Sequence, residues 1–90
     1  MAYPWYSTNE GKASPDRKAG YTIVRNYKTG EKRFEVRVIV SFQRRGIATF
    51  SVDNLADAAA QFDAKLAPKM PADEAAARRE SVQSLAALAH

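Results

Sequence analysis

The stretch from Glu31 to Phe42, EKRFEVRVIVSF, alternates strictly, and little but a β-strand can satisfy it. Phe34, Val36, Val38, Val40 and Phe42 fall on one side; Arg33, Glu35, Arg37, Ile39 and Ser41 fall on the other. Period two over this length is the signature of a half-buried strand. No proline or glycine interrupts it, and valine, isoleucine and phenylalanine suit a pleated surface. One side can cover a core, and the other displays arginines.

A second strand is expected at Tyr21–Tyr27, and Lys28-Thr29-Gly30 reads as a tight hairpin turn with Gly30 at a positive φ. A three-residue loop sets Tyr27 against Glu31, Arg25 against Arg33, Ile23 against Glu35 and Tyr21 against Arg37. Thr22 and Val24 then join Phe34 and Val36 on the core side. A slip of one residue would invert that assignment. Gln43-Arg44-Arg45-Gly46 reads as the next turn and Ile47–Val52 as a third strand. Short links favour an antiparallel meander.

After Val52 the period changes. Leu55, Ala58, Ala59, Phe62 and Leu66 recur at three and four residues, the stripe of an amphipathic helix, with Ser51 or Asp53 as its cap. Pro68 and Pro71 end it. A second helix follows, with an apolar stripe of Val82, Leu85, Ala86 and Ala89. Its first half, EAAARRES, is thinly apolar, which points to loose docking or to a homodimer formed through this helix. The expected fold is therefore α+β: a three-stranded antiparallel sheet packed on one helix, then a C-terminal helix, in the order β-β-β-α-α. Residues 1–20 read as a flexible arm, 21–67 as the sheet-and-helix domain and 71–90 as the C-terminal helix. Tyr3, Trp5 and Tyr6 in the arm are expected either to cap an edge of the core or to anchor a protein partner.

Ninety residues allow one core. The absence of cysteine excludes disulfides, thiol catalysis and cysteine-held metals, and fits a cytoplasmic location. No apolar run reaches membrane-spanning length. The only histidine is His90, the last residue; no ligand-spaced cluster, glycine-rich phosphate loop or serine with a general base is legible, so neither an enzyme nor a cofactor is expected. Charge is the remaining lead. Residues 12–45 hold ten of the fourteen basic residues and three of the ten acidic ones, a net charge of +7, while the rest of the chain carries −3. A basic layer on a small domain is the footprint expected for a polyanion.

Three segments carry a resemblance: Arg33-Phe34-Glu35-Val36-Arg37-Val38, Ala48-Thr49-Phe50 and Ala58-Ala59-Ala60-Gln61-Phe62-Asp63. Over about residues 20–67 the chain resembles the ethylene-response-factor type of DNA-binding domain, with relatives in phage and mobile-element proteins such as the arm-binding domains of lambda-type integrases. Phe34 stands where that pattern has Trp, Ala48 where it has Gly, and Gln61-Phe62 where it has Ala-Tyr. The resemblance implies that the exposed sheet face enters the major groove of duplex DNA. It assigns DNA contact to Arg25, Arg33, Arg37, Arg44 and Arg45, beside which Tyr27, Lys28 and Lys32 lie on the same hairpins. The other reading is a protein-binding module that docks its basic sheet face and its Tyr3-Trp5-Tyr6 cluster on an acidic partner.

Overall fold

The computed structural model describes the backbone of residues 5–40 and 46–88, and the side chains of 11–40 and 46–88. Four strands form one antiparallel sheet in chain order: β1 (Trp5–Ala13), β2 (Ala19–Asn26), β3 (Lys32–Val40) and β4 (Gly46–Val52). Asn54 then caps a 3-10 turn at Leu55–Asp57, its Oδ1 accepting from Ala56 N at 3.0 Å. Helix α1 (Ala58–Lys65), a second 3-10 turn (Ala67–Lys69) and α2 (Ala72–Leu88) complete the chain. Asn54, rather than Ser51 or Asp53, is therefore the cap.

The fold is α+β as expected, but the sheet has four strands, because Trp5–Ala13 pairs along β2 instead of forming an arm. Two features hide this strand in the sequence. It is polar, and its register is irregular: Thr8, Asn9 and Glu10 stand opposite Ile23 alone. Extra residues of this kind break the period-two pattern. Past the irregularity, β1 lies very close to β2. A Cβ on Gly11 would sit 2.5 Å from the Tyr21 carbonyl oxygen, so glycine is required there.

The β2–β3 register differs by one residue from the expected one. Asn26 N donates to Glu31 O at 2.8 Å, so four residues, Tyr27 to Gly30, make the loop. The Asn26 side chain is the cause. Its Oδ1 accepts from Lys28 N at 2.9 Å and Thr29 N at 3.2 Å, starting the turn one residue early. Gly30 holds φ +77° to close it. Tyr21 then faces Val36, Ile23 faces Phe34 and Arg25 faces Lys32. Tyr21 is buried, edge-on to Phe34 with ring centroids 5.7 Å apart. Thr22 and Val24 lie on the opposite face, the reverse of the expectation.

Both helices lie on the Tyr21–Phe34 face. Helix α2 crosses β2 with β1 and β3 to either side, and α1 lies against β4. The core joins Tyr21, Phe34, Val36, Val38, Phe50 and Val52 of the sheet to Leu55, Ala58, Phe62, Val82 and Leu85. Each valine, leucine or phenylalanine among them contributes roughly 1.5–3 kcal/mol by leaving water. Val82 and Leu85 are spent on this core and are not open to a second copy; Ala86 is half-buried, and Ala89 lies outside the described residues.

The thinly apolar half of α2 docks firmly, through polar groups. Arg78 is buried; its Nε donates to Ile39 O at 2.8 Å and its guanidinium lies 3.6 Å from the Glu74 carboxylate. Ser81 Oγ donates to Asp16 Oδ2 at 2.5 Å. Asp16 Oδ1 in turn accepts from Ser14 Oγ at 2.6 Å and Lys18 N at 3.0 Å. Lys18 O accepts from Ile39 N at 2.8 Å. The β1–β2 turn, the end of β3 and the middle of α2 are thus one polar knot.

The hydrogen bonds from Ser14, Ser81 and Lys18, with Arg78 nearby, hold the Asp16 carboxyl down at about 2, against an ordinary 3.8. A lowered folded-state pKa stabilises the fold above the unfolded value, and the gain disappears as pH falls through the folded one. Asp16→Ala is expected to cost about 1–2 kcal/mol at pH 7, because Ser14, Ser81 and the Lys18 N–H lose a shared acceptor and Ser81 Oγ keeps only the Ala77 carbonyl at 3.3 Å. Urea unfolding at pH 7 and near pH 2 should show that difference shrinking with acid; an equal loss at both would refute the assignment. Gly11→Ala should also lower Tm, since the new methyl meets backbone, which cannot swing aside.

Candidate nucleic-acid interface

The sheet surface turned away from the helices is built, among the described side chains, from alternate residues of β2, β3 and β4. Thr22 and Val24 come from β2; Arg33, Glu35, Arg37 and Ile39 from β3; Ile47, Thr49 and Ser51 from β4. Among the described residues nothing is packed over it. Strict alternation in β3 puts its two arginines there, as expected, because its partners Phe34, Val36 and Val38 are needed in the core.

The charges on this surface are matched at close range. Arg33 Nε lies 3.0 Å from Asp53 Oδ1, and Arg37 lies 3.3 Å from Glu35 Oε1. Both arginine side chains stay about half exposed. Exposed pairs of this kind hold their partners by only about 0–1 kcal/mol, so each guanidinium can exchange its carboxylate for another anion.

The remaining expected contacts are placed differently. Arg25 lies on the helix side of β2, half-buried opposite Lys32, and does not join Arg33 and Arg37. The one-residue register difference moved it there. Lys28 is exposed on the hairpin, with its ammonium 5.8 Å from the Tyr27 ring centre. Lys32 is exposed with its ammonium 5.3 Å from the Phe34 ring centre. Val52 pairs with Phe34, so Lys32 and Arg33 extend past the end of β4 and the hairpin stands clear on that side. Tyr3, Arg44 and Arg45 lie outside the described residues, and so do the side chains of Trp5 and Tyr6, whose backbone belongs to β1.

Three members of this surface had no functional role assigned from the sequence. Asp53, just after the third predicted strand, was available only as a helix cap, yet it pairs with Arg33. Ile39 and Ile47 are cross-strand partners and stay 37% and 62% exposed. Ile39 sits on the arginine side of the alternation, which was the available signal.

No known protein family, curated protein or solved structure matches the chain. Among the described residues no helix is long and apolar enough to cross a membrane.

Proposed function

We propose that this protein binds duplex DNA, using the helix-free surface of its sheet and the β2–β3 hairpin. The observation that carries this reading is the open surface itself: both helices pack on one side, leaving Arg33 and Arg37 outward beside Thr22, Thr49 and Ser51. The basic excess of residues 12–45 supports it. The phage or mobile-element character suggested by residues 20–67 belongs to the same proposal.

The mode of docking differs from a flat sheet in a groove. Four strands about 4.8 Å apart span about 14 Å between the outer axes, before side chains are added. The major groove is about 12 Å wide. The β2–β3 hairpin is narrow enough to enter. In this reading Lys28 and Arg33 reach phosphates or base edges at the groove and Arg37 meets the flanking backbone, while Lys32, on the helix side with its cross-strand partner Arg25, does not. Arg25, turned to the helix side, is left out of the contact.

Fluorescence anisotropy with a random duplex tests this. Affinity should fall steeply with salt, by a slope of about 0.9 per phosphate contacted. Arg33→Ala with Arg37→Ala should weaken binding and flatten that slope by about two while leaving the fold intact. Glu35→Gln should tighten binding, because it frees Arg37 from its carboxylate 3.3 Å away. Binding indifferent to salt and to the double variant sinks the proposal.

A second reading, docking on an acidic protein, is favoured by one observation. Ile39 and Ile47 form an exposed apolar pair beside Arg37, and phosphates give such a pair nothing to bury against. Ile39→Ser should leave DNA affinity unchanged and weaken a protein complex.

A further inference from the structure

The two edges of the sheet are built differently. Strand β1 carries Glu10, Gly11 and Lys12 and an irregular register between Ser7 and Gly11. Charges and bulges are the usual devices that keep an edge from pairing with another chain. Strand β4 has neither. It reads GIATFSV, without charge or proline, and pairs with β3 in unbroken register from Val40↔Gly46 to Phe34↔Val52. Among the described residues no strand pairs with its other side.

Helix α1 flanks this edge with a self-complementary row. Asp57, Gln61 and Lys65 follow one another at intervals of four and share one side. With Ser51 and Val52 of β4 they line a shallow hollow, closed at one end by the Arg33–Asp53 ion pair, whose charges satisfy each other. The row runs from acid through amide to base. Neither Asp57 nor Lys65 is in an ion pair among the described residues. Turned end for end, the row complements itself.

We infer that β4 pairs antiparallel with β4 of a second copy about a two-fold axis, joining two four-stranded sheets into one of eight strands. An isologous contact needs a surface that matches its own reversal, and the Asp57–Gln61–Lys65 row supplies one. Asp57 of each copy meets Lys65 of the other, with Gln61 near the axis. The backbone hydrogen bonds of the strand pair give the affinity, and the charges set the register. Ile47, the most exposed large apolar side chain described, becomes partly covered. An extended peptide from another protein would use the same strand edge but has no need of the reversed charge row. The inference is independent of nucleic-acid binding.

Sedimentation equilibrium on the full chain tests it. The expected species has twice the 10.0 kDa monomer mass and grows with concentration. Ile47→Lys puts a charge on the edge strand at an exposed position and should weaken association by about tenfold or more. Asp57→Lys and Lys65→Asp should each weaken it, and the two together should restore it. Circular dichroism on each variant separates dissociation from unfolding. A chain still monomeric at roughly 1 mM overturns the inference. So does a dimer indifferent to Ile47→Lys, or a charge reversal that the double variant fails to rescue.

Discussion

Asn26 Oδ1 accepts the N–H groups of Lys28 and Thr29, and the sidedness of the sheet follows from that turn. With Asn26 paired to Glu31, Tyr21 and Ile23 stand with Phe34 and Val36. A loop one residue shorter would put Thr22 and Val24 there instead and expose Tyr21. Side chains alternate along a strand, so a single step in pairing exchanges the two surfaces of β2 completely. The burial of Tyr21 against Phe34 and the position of Arg25 both depend on it.

The helices hold to that surface by two different means. Helix α1 docks by apolar burial of Ala58 and Phe62, with Leu55 just before it. Helix α2 divides the work. Its C-terminal half inserts Val82 and Leu85, and its N-terminal half is tied by Arg78 to the Ile39 carbonyl and by Ser81 to Asp16. A charged donor on a buried carbonyl is worth roughly 1.5–3 kcal/mol, comparable to a buried leucine. Polar contacts therefore fix a helix end that has few apolar residues to offer.

What remains outside is a sheet surface whose charges are locally balanced and one strand edge without protection. Balanced charges are compatible with a polyanion only because the pairs are exposed and weak. The same surface carries an isoleucine pair that a purely electrostatic role would not need. The unprotected edge of β4 is a separate opportunity, since its unpaired backbone groups lie in the sheet plane and not on the arginine surface.

Several parts of this arrangement were legible in the chain itself. The alternation of Glu31–Phe42 placed Phe34, Val36 and Val38 inward and Arg33 and Arg37 outward. The three-and-four spacing of Leu55, Ala58 and Phe62 marked the first helix. Local periodicity carries such information because each residue's direction depends only on its neighbours along the backbone. The fourth strand, the facing of Arg25 and the docking of α2 were decided in three dimensions. Polar residues and a register irregularity hid β1, and one side-chain carbonyl chose between two registers that apolar patterning leaves nearly equal. The Arg78–Ile39 and Asp16–Ser81 contacts join residues 39 and 65 positions apart. No local pattern announces contacts of that kind, because they exist only once sheet and helix have met.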